Sequence, residues 1–410
     1  MMPATAVSAK GKTLLAKKFW PHDLVLGLLP LLIGFEVLLW TVYLPLEARG
    51  IADFRVFYTG GYMLRTGHAA ELYDYDTQQR FEETVVPARL LFVHLSHPAF
   101  EVLLFVPLSL LTYRVAYWVF MAFNGALLIL CVGLLRDRFK VLSDRWKWFS
   151  ALLIPAFFPV SRALQKGQDS IIMLTLLAAA LWALDHEKEF VAGLLVGIGI
   201  FKFQIVIPVA LLFLMWRRWR FSAGFAVSSS VAGLVSLWLV GLGGARDYAH
   251  MLVSMSLRLA SAADMHRYST DPREMIDLRG LVTAIFDGKL AHGYVQFLVL
   301  VCSVVVLLMA ARRRPSLPLA IAAASLVSYH FLVHDASILI IVIAAALCSE
   351  SVWVGAAAVL LLIAPLCAIV PFYGHLVAIP LLGLFLLMLG RVPERSEFTA
   401  GGRQDAIAEG

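Results

Sequence analysis

The chain has 410 residues, of which 60% are hydrophobic and 15% are charged, and its formal net charge is +6. Soluble domains carry a much larger share of charged residues, so this composition excludes a soluble globular domain for almost the whole chain. It predicts an integral membrane protein.

The longest apolar runs have the length of membrane helices. Residues 24–44, 295–311 and 352–370 approach or reach the roughly 20 residues that a helix needs to cross a bilayer. Strand-like alternation with regular turns is absent, which favours helices over a closed barrel. The four cysteines lie inside apolar runs without metal-ligand spacing and are interpreted as packing residues. We therefore predict an all-α polytopic membrane protein.

Basic segments set the expected sidedness. Lysines precede the first apolar run, so residues 1–23 are predicted to form a cytoplasmic segment before an uncleaved anchor. The short basic connections 136–147, 217–220 and 312–314 are assigned to the cytoplasm by the same rule. Residues 45–112 must then lie outside. Their apolar stretch 97–111, which Pro98 and Pro107 interrupt, is expected at the outer interface rather than across the membrane.

The remaining crossings follow in chain order. Residues 149–164 are predicted to run outward and 171–184 inward. Residues 190–216 have two cytoplasmic ends and Lys202 in the middle, which favours two short helices that meet at this lysine. After a crossing at 222–242 comes a second outer segment, 243–292, and then five more crossings.

Together these crossings predict about twelve membrane helices in a single domain, residues 24–390. Residues 391–410 are predicted to form a disordered cytoplasmic tail.

Under this topology the unusual polar residues collect at the outer face, and a polar cavity open to the outside is the expected result. For any single member, a solvated loop charge is the alternative interpretation. These residues are Asp53, Arg55, Tyr58, Asp74, Asp76, His94, His97, Arg162, Lys166, Gln168, Asp169, Lys202, His330, His334 and Asp335.

Asp53 has a distinctive position, because it directly follows the first membrane helix and precedes an amphipathic segment. A carboxylate at the bilayer edge can accept a proton from a hydroxyl while a lipid-borne partner approaches from the membrane. Aspartate is also a good N-cap for the helix that follows. The residues alone leave both roles open.

Several segments, in order, resemble glycosyltransferase family 87, a family of the GT-C superfamily, mainly over residues 20–245. They are the Asp53 loop, Gly67 to Asp74, His97-Pro98 to Pro107-Leu108, Leu164-Gln165-Lys166-Gly167-Gln168, Ala192-Gly193 to Lys202, and Arg217-Arg218-Trp219. The resemblance implies a GT-C bundle with interfacial helices in the first outer loop and Asp53 as the catalytic residue. It also implies a polyprenyl-phosphate sugar donor, with mannose as the typical sugar, and a lipid-linked or glycan acceptor.

A one-step inverting transfer needs one base for the acceptor hydroxyl and cations for the departing phosphate. Asp53 is the candidate base, and Gln168 is a candidate for hydrogen bonding to the sugar or phosphate, although Gly167 and Gln168 are also typical of a helix-start turn. His330 and His334 are spaced to share a helix face. The candidate cations or donors for the phosphate are Lys202, Arg162, Lys166, His330 and His334.

The further site candidates are Arg55, Tyr58, Asp74 and His97. No specific motif supports a metal or cofactor. A divalent cation at Asp74 and Asp76 remains an alternative to surface turn chemistry.

The expected partners are the lipid-linked donor, the acceptor and the bilayer, with no nucleic acid. We expect a location in the bacterial plasma membrane, with the N-terminus in the cytoplasm and the active site outside. A transporter or flippase of a lipid-linked sugar is the alternative function, although transporters favour a midplane site between matched broken helices.

Overall fold

The computed structural model describes residues 21–87, 92–139, 148–257 and 271–390, and within these ranges every regular element is helical. The prediction of an all-α polytopic membrane protein is confirmed. Most of the predicted N-terminal segment, most of the basic connection 136–147 and the predicted tail 391–410 lie outside the described residues.

The first nine α-helices of the described residues run from the first membrane span to the middle of the chain. They are α1 (Pro21–Leu46), α2 (Phe54–Arg65), α3 (Tyr75–Val85), α4 (Ala99–Val102), α5 (Tyr113–Leu135), α6 (Phe149–Ala156), α7 (Phe158–Gln165), α8 (Ser170–Asp185) and α9 (Glu189–Ile198).

The remaining helices begin after a 3₁₀ turn at Gly199–Lys202. They are α10 (Phe203–Met215), α11 (Trp219–Leu257), α12 (Leu278–Phe286), α13 (His292–Ala311), α14 (Leu317–Val327), α15 (Leu339–Leu347), α16 (Val352–Ile363) and α17 (Ala378–Leu389).

Among the described residues, six helical stretches are long and apolar enough to cross a membrane, and four shorter apolar helices accompany them. The predicted total of about twelve crossings therefore stays a prediction. The expected crossing at 149–164 is two short helices, α6 and α7, which meet at Phe157. Pro159 lacks a backbone N–H and clashes with a preceding helical turn, so it favours a new helix start here.

The first predicted outer loop folds as a small helical layer beyond the end of α1. Its apolar stretch 97–111 contains only short helical turns, of which the longest is α4, so it is too short to cross a bilayer. Phe54 lies at the centre of this layer, with ring centroids 5.4 Å from Phe120 and 6.0 Å from Tyr117 on α5. This aromatic packing fixes the layer against the N-terminal half of α5, which is predicted to face outward.

Residues 189–215 form the hairpin that the charge pattern predicts. Its two helices, α9 and α10, are separated by the 3₁₀ turn that ends at Lys202. Arg218, just after α10, lies 2.8 Å from Glu189 at the start of α9, so both ends are on the same side. Helix α9 packs very closely on α11, because a Cβ at Gly193 would lie 2.0 Å from the Phe221 carbonyl oxygen.

Helix α11 continues beyond the bilayer length that its sequence predicts. Its backbone breaks at Gly241, where φ is 67°, and residues 242–257 then extend the helix into the predicted outer segment. There the ring of Tyr248 packs in a tilted arrangement 4.6 Å from that of Tyr73, and its hydroxyl donates a hydrogen bond to the carbonyl of Ser96. The two segments that are predicted to lie outside therefore pack against each other.

Candidate functional site

Asp53 lies between the π-helical turn after α1 and the start of α2, beyond the membrane-spanning part of the first helix. Its side chain makes no capping hydrogen bond with α2, so the N-cap alternative does not describe the structure. Instead, the carboxylate accepts a hydrogen bond of 2.8 Å from Gln168 Nε2 and one of 3.3 Å from Lys166 Nζ. These three residues form the Asp53 cluster.

The backbone around the Asp53 cluster is fixed by a close approach of two chain segments. Phe54 N–H donates to the carbonyl of Lys166 at 3.0 Å. Gly167 has φ +60°, and a Cβ there would lie 2.8 Å from the Cβ of Phe54. Only glycine fits this position without strain or collision. Gln168 is buried, and its carbonyl accepts a hydrogen bond from Asn124 Nδ2 at 3.2 Å.

The cluster keeps Asp53 ionised. Burial acts to raise its pKa, but Lys166, His334 and the hydrogen bond from Gln168 together hold the pKa of Asp53 below its usual value. The side chain of Asp53 is 28% exposed, so a substrate hydroxyl can approach it. A positioned, ionised and accessible carboxylate has the properties of a general base.

Lys202 is a candidate phosphate ligand in the sequence, but in the structure it is buried between two carboxylates. Its ammonium is 2.8 Å from Asp169 and 2.7 Å from Asp335, and only 3% of the side chain is exposed. Asp335 also accepts a hydrogen bond from Ser170 Oγ at 3.2 Å. Lys202, Asp169 and Asp335 form the buried triad, which joins the tip of the hairpin to the starts of α8 and α15.

His97 connects the first outer loop to this triad. Its Nδ1 lies 2.7 Å from Glu101 and 3.1 Å from Asp169. Burial by itself lowers the pKa of His97, but the two carboxylates outweigh it and raise the pKa to about 10. Burial also raises the pKa of Glu101 to about 8. These charged contacts tie the loop to the bundle behind Asp53.

His97, Glu101 and Asp169 also offer three metal-ligand atoms within 4.8 Å of one another. However, the ammonium of Lys202 already contacts Asp169, so a divalent cation here would lie beside a fixed positive charge. The contacts of this trio are those of an ion-pair network.

Arg162 lies one helical turn before Lys166, near the end of α7. It donates a hydrogen bond of 2.7 Å to Gln165 Oε1, lies 3.7 Å from Glu47 and stacks 5.2 Å from the ring centroid of Tyr43. Its side chain is 15% exposed. Arg162 and Lys166 therefore place two cations at one partly open edge of the site.

The two candidate histidines do not share a helix face, and this expectation is wrong. Helix α14 ends at Val327, and residues 328–334 form an irregular loop. The Phe331 carbonyl in that loop accepts a hydrogen bond from Ile276 N–H at 2.9 Å, which holds it to the second outer segment. His334 lies 3.8 Å from Asp335 and interacts electrostatically with Asp53. Burial lowers the pKa of His330 to about 4.

The other candidates have structural contacts within the outer loop. Arg55 is buried with Glu82 at 3.6 Å, and Tyr58 donates a hydrogen bond of 2.8 Å to the carbonyl of Leu111. Asp74 is exposed and caps α3 by accepting a hydrogen bond from Thr77 N–H. The turn interpretation of Asp74 is therefore the one that the geometry supports.

Sequence reasoning missed Glu47 and Glu101, which are both buried. Each had a local signal: Glu47 directly follows the first membrane helix, and Glu101 is four residues after His97 in an apolar stretch. Buried carboxylates of this kind need partners, and Arg162 and His97 supply them.

Comparison with known proteins gives two findings. The model of glycosyltransferase family 87 matches residues 96–334, which include Lys166, Gln168, Lys202 and His334 but begin after Asp53. The match extends further toward the C-terminus than the resemblance seen in the sequence. The chain is also similar to an alpha-(1->3)-arabinofuranosyltransferase of Corynebacterium glutamicum, with 29% identity over 119 residues. This alignment spans 28% of each chain. No solved structure matches the chain.

Proposed function

The chain belongs to glycosyltransferase family 87, and on that premise we propose that it transfers a hexose, with mannose as the first candidate, from a polyprenyl phosphate. The proposed acceptor is a lipid-linked or other glycan at the outer face of the membrane. The reaction inverts the anomeric configuration, and Asp53 is its general base.

The observation that carries this proposal is the placement of the Asp53 carboxylate. It is partly exposed, follows the 26-residue first helix after one π-helical turn, and accepts a hydrogen bond of 2.8 Å from Gln168. A carboxylate there can meet a lipid-borne donor and an acceptor at the bilayer edge. In the proposed step the acceptor oxygen attacks the anomeric carbon, its proton passes to Asp53, and the bond to the phosphate oxygen breaks.

The departing phosphate needs positive charge. The proposed cations are Lys166, which lies 3.3 Å from Asp53, and Arg162, which lies 3.7 Å from Glu47. Their side chains are 25% and 15% exposed. Lys202 is enclosed by two carboxylates, so its proposed contribution is to hold Asp169 beside Gln168. His334 and His330 remain candidates for hydrogen bonds to the donor.

The proposed sidedness has support from the basic connections. Asp169 stands at the start of α8, and Asp185, at the other end of this helix, pairs with Arg138. Arg218 pairs with Glu189, at the end of the hairpin away from Lys202. The basic connections therefore lie opposite the site, and the positive-inside rule assigns them to the cytoplasm. We infer a site on the outer side of a bacterial plasma membrane.

The test is transfer by the full-length protein in lipid nanodiscs. Polyprenyl-phosphate mannose and polyprenyl-phosphate arabinofuranose are each supplied with bacterial membrane lipids and glycans as acceptors. We expect a new glycoside from the mannosyl donor in wild type and Asp185→Asn, and at least about a hundredfold less from Asp53→Asn. Asp185 is the matched control because it lies at the other end of α8.

Each outcome bears on a separate part of the proposal. Equal turnover by wild type and Asp53→Asn removes Asp53 as the base. If product forms from the arabinofuranosyl donor alone, the proposed sugar is arabinofuranose rather than a hexose. If neither donor gives a product, the proposed donor class is overturned. The anomeric configuration of the product, read by NMR, tests inversion.

A further inference from the structure

Two lysines near the site differ sharply in how they are held. Lys202 is 3% exposed and contacts two carboxylates at 2.7 and 2.8 Å. Lys166 is 25% exposed and has one longer contact, 3.3 Å, with Asp53, whose side chain is 28% exposed. The pair of Lys166 and Asp53 is therefore the open, weakly held ion pair of the site, and an incoming anion can compete for it.

The backbone beneath this pair is held by contacts that do not involve the lysine side chain. The Lys166 carbonyl accepts a hydrogen bond from Phe54 N–H, and Gly167 packs against Phe54. Asp53 keeps its 2.8 Å hydrogen bond from Gln168 Nε2 independently of Lys166. A lysine has a flexible four-carbon stem, so its ammonium can change partner while Asp53 stays in place.

We propose that Lys166 exchanges partners during the reaction, from Asp53 in the free enzyme to the donor phosphate in the complex, so that binding of the donor frees the base. This proposal rests on the proposed function and adds to it an order of events. Asp53 is weakly basic while it is paired, and it becomes a stronger base only when the phosphate is in position.

The charges balance in this scheme. The phosphodiester of the donor carries one negative charge, which is enough to attract Lys166 from Asp53. In the transfer, the acceptor O–H bond and the bond from the anomeric carbon to the phosphate oxygen break, and the new glycosidic bond forms. The proton goes to Asp53, and the electron pair of the broken glycosyl bond leaves with the phosphate, whose negative charge grows. Lys166 is then beside the growing charge, and the protonated Asp53 no longer needs a cation.

Among the described residues, four titratable groups from other elements interact electrostatically with Asp53. They are Lys166 after α7, Glu47 before α2, His334 before α15 and Tyr113 at the start of α5. Lys166 interacts with both Asp53 and Glu47 and is the largest opposing charge for each. Removal of its charge from Asp53 should therefore raise the pKa of Asp53 more than removal of the charge of His334.

The experiment measures the protonation of Asp53 without requiring transfer. The full-length protein in nanodiscs is labelled with a carbodiimide and an amine across a pH series, and the modification of Asp53 is quantified by mass spectrometry. Citronellyl phosphate, a short isoprenyl phosphate, is the probe, and citronellol is the control without phosphate. We expect the phosphate to raise the labelling midpoint by about one pH unit or more, and the alcohol to leave it unchanged.

Variants assign the effect to Lys166. In Lys166→Met the midpoint should already be high and should not respond to the phosphate, whereas Lys166→Arg should respond like wild type. Lys188→Met is the matched control, because Lys188 is exposed and follows the other end of α8. In turnover, the acidic limb of kcat should lie at higher pH than that of kcat/KM for the donor, and the two should coincide in Lys166→Met.

The outcomes separate this proposal from the proposed function. A wild-type midpoint that citronellyl phosphate leaves unchanged overturns the exchange even if transfer occurs, and so does a Lys166→Met midpoint that responds like wild type. A phosphate-dependent midpoint without transfer from any donor supports the exchange and removes the proposed reaction. The wild-type comparison remains decisive if Lys166→Met does not fold.

Discussion

Two ion pairs of the helical hairpin have the same distance and opposite environments. Lys202 and Asp169 are 2.8 Å apart with side chains 3% and 0% exposed, whereas Arg218 and Glu189 are 2.8 Å apart with side chains 45% and 25% exposed. We therefore propose Lys202→Met and Arg218→Met as a matched pair of perturbations. Each variant removes one cation from a pair of equal length, and the two sites differ in burial and in the second carboxylate, Asp335, that contacts Lys202.

Burial should dominate the free energy of unfolding. Loss of one partner from a buried pair typically costs about 3–5 kcal/mol, because the other charge is left without compensation. Lys202→Met leaves Asp335 without this cation and Asp169 with His97 as its remaining cationic partner, so a loss within this range is expected. An exposed pair contributes about 0–1 kcal/mol. The two variants should therefore differ by about 2 kcal/mol or more.

The assay is reversible unfolding of the purified protein in mixed micelles by increasing mole fractions of dodecyl sulfate, followed by tryptophan fluorescence. The triple variant Lys202→Met, Asp169→Asn, Asp335→Asn removes the uncompensated charges. It should recover most of the loss, since buried ion pairs can often be replaced by neutral groups at little cost. This recovery distinguishes a charge effect from the loss of the lysine stem.

Two results would refute the reasoning. Equal small losses in Lys202→Met and Arg218→Met would show that the triad is not sealed from water or lipid headgroups. A triple variant as unstable as Lys202→Met would show that packing around the aliphatic part of Lys202, rather than its charge, stabilises the buried triad.

Two further predictions concern the turn and the loop next to Asp53. Gly167→Ala should lower both stability and transfer, because its Cβ would lie 2.8 Å from Phe54 Cβ at φ +60°. Gly67→Ala has φ +87° but no atom within 4 Å, and should show only a backbone cost of about 1–2 kcal/mol in the same unfolding titration. The raised pKa values of His97, about 10, and Glu101, about 8, mean that the folded protein binds these protons more tightly than the unfolded chain does. Their stabilisation is present at pH 4 and is lost as the pH rises through about 8 and then 10. A titration series from pH 6 to 10 should show this fall, and His97→Gln should flatten it; a wild-type curve that rises with pH would contradict the network.

The sequence predicts the parts of the fold that depend on length and charge. The first helix, the α5 crossing and the short turns at 97–111 have the expected character. The hairpin at 189–215 follows from a charge at membrane depth and two ends that the charge pattern assigns to the cytoplasm. These features depend on the solvation of single segments in lipid, which composition and position are enough to estimate.

Features that depend on contacts between distant segments were beyond local reasoning. The loop 328–334 has a spacing compatible with a helix, but a hydrogen bond between the backbones of Ile276 and Phe331 holds it in an irregular conformation. Likewise, the rule for Lys202 required that the charge face protein or water. Burial in protein and exposure to water both satisfy this requirement. Lys202 is buried in protein because Asp169 and Asp335, which belong to two other elements, contact its ammonium.

Asp53 shows most clearly why function needed the fold. A residue before an amphipathic helix has the same local pattern whether it caps that helix or serves as a base. Instead, the carboxylate accepts hydrogen bonds from Lys166 and Gln168, which are 113 and 115 residues away in the chain. A capping carboxylate binds backbone N–H groups within its own helical turn. The Asp53 carboxylate binds a partly exposed ammonium that is distant in the chain, so tertiary structure must hold it in this position. That arrangement favours reactivity over local stability, and Asp53→Asn should therefore reduce transfer while changing the free energy of unfolding by less than about 1 kcal/mol. A large loss of stability in this variant would instead assign Asp53 to the support of the fold.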